Sequence, residues 1–280
     1  MSELEIQVPD VAHLKPAPDQ LQLNPLLDKI AAKTVEIASQ TPNLISHEDV
    51  VSQNGPSKTK ESFSYLVLQH SLRSGTLIFD EFRVDIATGE KFETEFSKMS
   101  AAATPKSPPS LADLSMPNAT KSEASGPMSK GFVGAWLFFY PSNRRVLDFR
   151  YLGRQKLHHS ETLVFSFAQK SGKASFSGAT VEFGGKNYQV AVQGVAWVDP
   201  ADFRIVRLRT ELLSVPGALP MRQLTSDIEF AQFSLADLRA PLWLPRHVTV
   251  AAILGGVASH EDHFYSNYRL FRAHTKVVPR

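Results

Sequence analysis

The run His260-Glu261-Asp262-His263 puts two imidazoles and two carboxylates into four consecutive residues. Histidines three apart can share a metal on a helix, where such positions stack on one face. Gly255-Gly256 precedes this run and reads as a turn opening into a strand. On a strand, positions three apart face opposite ways. A polar turn with no metal is therefore the expectation. His158-His159 would make a pH-sensitive pair, but adjacent residues diverge on a strand and their surroundings read as a loop. Solvated surface histidines are expected there. No G-x-S-x-G, P-loop or G-x-G-x-x-G occurs, and with no cysteine there is no thiolate nucleophile, thiolate metal site or disulfide. A Ser/His/Asp triad assembled from distant segments would leave no mark in the sequence. The expectation is a protein that works without chemistry and without a cofactor.

Arg204, Arg207, Arg209, Arg222, Arg239 and Arg246 cluster in the C-terminal half. Such a set can receive a phosphate or an anionic head group. It can equally be the wet face of a strand, paired with neighbours such as Glu211 and Asp227; this second reading is the expectation. Trp136, Phe138, Tyr140, Phe165 and Trp197 fit either a ligand-cavity wall or an ordinary β core.

The chain has 280 residues, 42% hydrophobic and 21% charged, which suits a globular protein with a sizeable core. Its 30 basic and 28 acidic residues leave +2, too balanced for a nucleic-acid footprint. No apolar run reaches the ~18 residues of a membrane-spanning helix. Residues 1–20 hold four acidic side chains and three prolines. They read as a disordered tail rather than a signal peptide, so export would require a leader absent from this numbering.

One long helix is expected from Asn24 to residue 40. Asn24 suits an N-cap and Pro25 the first helical position. Leu26, Leu27, Ile30, Ala31, Thr34, Val35 and Ala38 make one apolar stripe. Thr41-Pro42 ends it, because a residue before proline avoids the helical region. The period then changes to two. Strands are expected at 44–53, 63–68, 77–86, 132–140, 145–153, 160–169, 187–198, 203–213, 222–235, 243–254 and 260–276. Residues 98–130 carry five prolines and few large apolar side chains, and read as a flexible insertion. Residues 21–280 are otherwise expected to form one domain.

About 11 serial strands joined by short loops favour an antiparallel meander, and so broad a twisted sheet must curl. The fold class is mainly β (α+β), a curved antiparallel half-barrel of about 11 strands with an N-terminal covering helix. The stretch from Gly194 to Leu208, with Trp197, Asp199 and Arg207 at its fixed points, resembles a hairpin of the LolA/LolB-like lipoprotein-carrier fold. Gly153-Arg154-Gln155-Lys156-Leu157, Leu163 to Phe167 and Leu244-Pro245-Arg246-His247-Val248 extend the likeness to uncharacterised exported proteins of soil bacteria, nearest an acidobacterial group. The resemblance spans about residues 130–278. It implies a half-barrel with a helical lid, a periplasmic or secreted location, and an interior that holds a lipid or a lipoprotein acyl chain. This sequence departs from it by the 98–130 insertion and by lacking a lipid-anchor cysteine. The wall residues expected are Trp136, Phe138, Trp197, Leu208, Phe230 and Phe264. The alternative is a structural or interaction module of the cell envelope, with a filled core and a protein partner.

Overall fold

The computed structural model of the chain describes residues 9–71, 77–85, 131–170, 179–184 and 186–271. The expected 98–130 insertion lies outside them. A single α-helix among the described residues, α1 (Leu23–Gln40), starts one residue before Asn24, with Gln22 at the N-cap and no side-chain cap. It ends at Thr41, whose N–H and hydroxyl both donate to the Ile37 carbonyl. Its buried stripe is Leu27, Ile30, Ala31, Thr34, Ile37 and Ala38, whereas Val35 faces outward.

Among the described residues twelve strands form one sheet. They are β1 (Lys15–Pro16), β2 (Leu44–Asn54), β3 (Ser57–Ser71), β4 (Leu77–Asp85), β5 (Leu147–Leu157) and β6 (Ser160–Gln169), then β7 (Ala179–Phe183), β8 (Lys186–Val198), β9 (Ile205–Ser214), β10 (Met221–Phe233), β11 (Leu242–Leu254) and β12 (Val257–Leu270). Their order is β1-β5-β6-β8-β9-β10-β11-β12-β2-β3-β4, with β7 beside β8. Every pairing is antiparallel. The last strand closes back onto β2, the first long one, so β4 and β5 become opposite ends of an open sheet. Among the described residues only the two-residue β1 lies beyond β5.

One face carries Tyr65, Tyr151, Phe165, Ala196, Leu208, Ile228, Val248 and Tyr265, drawn from β3 around to β12. All of them join a single buried cluster with Leu27, Ile30 and Ile37 of α1. Side chains from one face of so many strands converge on one helix only if the sheet wraps around it. The protein is thus an open, mostly antiparallel β half-barrel with α1 inside its curve.

The run at 132–140, expected as a strand, is instead two 3-10 turns, Ala135–Phe139 and Pro141–Val146. Its aromatics point several ways at once, which a pleated strand cannot do. Residues 9–20, expected in a disordered tail, form a 3-10 turn at Pro9–Val11 and the strand β1. Alternation also breaks at bulges. Val198 pairs with Ile205 while Trp197 pairs with Arg207, so Ile205 and Leu208 both face inward. A second irregularity between Ser266 and Arg269 turns Tyr265 and Tyr268 to the same core, with Asn267 at φ 53°.

Gly194 marks where the sheet is tightest. A Cβ there would meet the Arg209 carbonyl oxygen at 2.2 Å and the Phe167 ring at 2.7 Å. Gly194→Ala is expected to cost about 1–3 kcal/mol through forced displacement of β9 and Phe167. Chemical denaturation will show this as a lowered midpoint.

Candidate functional site

The inner face has two halves of opposite character. On β2, β4 and β12 charged and hydrogen-bonding side chains stand among apolar inward positions such as Val50, Phe79 and Tyr265. Glu48 of β2 accepts from Arg83 of β4 through Nε at 2.5 Å and Nη2 at 2.7 Å. The same carboxylate accepts the Tyr265 hydroxyl at 2.8 Å and meets His263 Nδ1 at 3.0 Å. The other ring nitrogen of His263 lies 3.2 Å from Glu261. Both His263 and Glu48 are wholly inaccessible to solvent. Arg83 also lies over the rings of Tyr65 and Phe63.

A buried charge survives only where paired and hydrogen-bonded, and the shifts show how this set is balanced. For Glu48, burial pushes upward, but hydrogen bonds with His263 and Arg83 outweigh it and hold the carboxyl below its ordinary value. For His263, burial pushes downward, and the hydrogen bonds to Glu261 and Glu48 outweigh it, raising the imidazole. Arg83 is raised despite burial because Glu48 holds its proton. The set is therefore a mutually paired Glu–Arg–His cluster inside the sheet.

Glu81 lies two residues from Arg83 on the same face of β4 and does something different. Its carboxylate accepts the backbone N–H groups of Gly131 at 2.8 Å, Phe132 at 3.0 Å and Val133 at 2.9 Å. Tyr65 donates its hydroxyl to the same group. Burial raises the Glu81 carboxyl despite these four donors. One side chain thus holds the chain where it enters the hollow.

From that latch, residues 131–139 cross the apolar half. Trp136 packs edge-on against Phe79 of β4, centroids 5.4 Å apart. Phe138 meets Phe167 of β6 at 4.8 Å, and Phe139 meets Phe149 of β5 at 5.2 Å. The segment therefore bridges the two open ends of the sheet and fills the space between them. Asn143 fastens its far end by donating to the Leu137 carbonyl at 2.8 Å, and Arg144 pairs with Asp28 of α1. The Trp136 indole N–H is buried and meets no partner among the described residues.

The six expected wall residues separate. Trp136, Phe138, Leu208 and Phe230 are buried in the inner cluster, the first two on the filling segment rather than on a strand. Trp197 and Phe264 are not on that face. Trp197 belongs to a small outer cluster with Val11, Val164 and Val195, and donates its indole N–H to Gln155. Phe264 is 46% exposed and stacks on His247 outside. Trp197 alternates with the inward Ala196 and Val198, and Phe264 alternates with the inward His263 and Tyr265.

His260-Glu261-Asp262-His263 lies within β12 and is not a turn. Asp262 faces outward between His247 at 3.1 Å and His260 at 3.2 Å, while Glu261 and His263 face inward. Among the described residues no His, Cys, Asp and Glu side chains converge as a metal-holding group. His158 and His159, at φ 46° and 74°, make the tight turn between β5 and β6. Arg207 and Arg209 line a polar outer groove of about 310 Å³ with Asp227, Glu229, His247 and Thr249, and pair with Asp227 and Glu211. Glu48, Glu81 and Arg83 were not singled out by the sequence. Alternation shows that they share faces with Val50, Phe79 and Tyr65, a charge among apolar neighbours, which was the available signal.

Removing the Glu48 carboxylate leaves Arg83 and His263 buried without their shared partner. Glu48→Leu is expected to lose about 3–5 kcal/mol of unfolding free energy. The raised His263 contributes stability that is full below the ordinary imidazole value of about 6.5 and falls as pH climbs through its folded value. Midpoints measured from about pH 6 to about pH 9 should decline in the parent protein. That decline should flatten in His263→Gln.

No family model matches the chain, and no curated protein matches its sequence. Solved structures similar to it include a DUF1329 family protein from Desulfovibrio piger, at TM-score 0.43 and 11% identity, covering 88% of this chain and 92% of that one. A putative outer membrane lipoprotein-sorting protein domain from Vibrio parahaemolyticus is similar at TM-score 0.41 and 12% identity, with 87% and 91% covered. A LolA superfamily protein from Nitrosomonas europaea is similar at TM-score 0.39 and 12% identity, with 90% and 94% covered.

Proposed function

We propose that this chain is an extracytoplasmic binding or carrier protein for a lipid or another hydrophobic ligand, acting by binding alone. One observation carries the reading. The apolar half of the hollow is filled by residues 132–139, a segment outside the sheet and fastened at its start by a single carboxylate. Phe79, Phe149, Phe167 and Tyr151 would line the space left if that segment withdrew. Those rings are large, apolar and adaptable, the surface an acyl chain needs. The polar half is the fixed floor: its groups are already paired and gain nothing from an apolar guest.

A second reading has its own support. Among the described residues the inner aromatic rings pack against one another, and a polar groove lies on the outer face. A permanently filled half-barrel would serve as an interaction module of the cell envelope, with a protein partner.

Glu81→Ala separates the two. It removes the acceptor of three backbone N–H groups, and under the carrier reading it frees the segment. The variant is expected to show a red-shifted Trp136 emission and a several-fold gain in affinity for an added fatty acid. Native mass spectrometry with lipid extraction reads the same question in the parent protein. A protein that repeatedly comes out ligand-free and ignores fatty acids and lipopeptides, even with Glu81 removed, rejects carriage and leaves the filled-core reading.

A further inference from the structure

Residues 9–20 are bound to the outer face and to the β5 edge in the way a peptide ligand is bound. Asp10 sets its carboxylate between two guanidiniums, 3.0 Å from Arg207 Nη2 and 3.1 Å from Arg209 Nη1. Val11, fully buried, enters a pocket of Val164, Val195 and Trp197. Gln155 reads the backbone on both sides of Val11, donating to the carbonyls of Asp10 at 2.6 Å and Ala12 at 2.9 Å. Trp197 holds that carboxamide in place. Lys15 and Pro16 then pair with Arg154 and Gly153, and the Ala17 N–H donates to the Leu152 carbonyl at 2.8 Å. Finally the Gln20 side chain bonds both the N–H and the carbonyl of Tyr151, as a neighbouring strand would.

A charge socket, an apolar pocket, a carboxamide over two carbonyls and a sheet edge are the parts from which extended-peptide sites are built. Gly153 fits the edge to its occupant, because a Cβ there would lie 2.0 Å from the Lys15 carbonyl oxygen. Each of these partners is at least 131 residues from the segment in sequence. The segment joins α1 through a short connection at 17–22, which includes Pro18. Its β1 residues are exposed. β5 would otherwise present unpaired backbone groups, a surface that invites another strand.

We propose that this track is an exchangeable docking site for an extended peptide bearing an acidic residue followed by an aliphatic one, and that its occupant in trans is residues 9–20 of a second copy. An identical segment makes identical contacts, so exchange between two copies replaces each contact with the same one.

Two full-length variants test this. In Val11→Asp the attached segment loses its pocket, so the track opens to a labelled synthetic peptide of residues 9–20. Binding is expected with the variant and much weaker with the parent protein, whose own segment competes. A peptide carrying Asp10→Asn should bind about tenfold more weakly, having lost a charge-assisted pair of hydrogen bonds. Deleting Pro18 and Asp19 shortens the turn, and light scattering is expected to find a dimer that reverts to a monomer when Arg207→Glu and Arg209→Glu are added. A folded Val11→Asp variant that ignores the peptide overturns the docking site. Peptide binding together with a monomeric turn-shortened variant overturns the second copy as occupant and points to a foreign peptide.

Discussion

A wide twisted sheet with one apolar face curls, and the volume it encloses has to be filled. Here β4 and β5 do not meet, and among the described residues no strand closes the gap between them. Helix α1 takes part of the volume and the aromatic turn at 132–139 takes another part, reaching from Phe79 beside one edge to Phe149 and Phe167 near the other. The open mouth and the filling segment are two consequences of the same geometry.

The interior is not uniformly greasy. Glu48, Arg83, His263 and Tyr265 place a paired polar cluster under β2, β4 and β12, where desolvation makes every missing partner expensive. Such a cluster resists rearrangement, because moving one member strands the others. The apolar half has no such constraint, since van der Waals contacts re-form with a different guest. Rigid floor and replaceable filling thus lie side by side, and Glu81, between them, bonds to the filling.

Much of this architecture was legible in the chain. Apolar spacing and Thr41-Pro42 located α1, and period-two alternation placed ten of the observed strands. The fold class follows from those elements and their short connections. The 132–140 run failed because aromatics are common in strands and nothing local shows that Trp136, Phe138 and Phe139 point to separate neighbours. A bulge hid the face of Tyr268, since one inserted residue inverts parity, whereas Trp197 simply alternates with the inward Ala196 and Val198. The buried cluster was invisible for a different reason: Glu48 meets Arg83 across 35 residues and His263 across 215. No motif spans such distances. His260-Glu261-Asp262-His263 looked like a unit, yet the strand splits it between solvent and core.

The account depends on residues 132–139 occupying space that a ligand can take. Hydrogen exchange of the Phe132 and Val133 amides, with and without an added fatty acid, measures this directly. The account predicts that these amides, protected by Glu81 in the free protein, exchange faster once ligand is bound, while α1 and β8 to β11 keep their protection. Bound fatty acid with the same two amides still protected would contradict it.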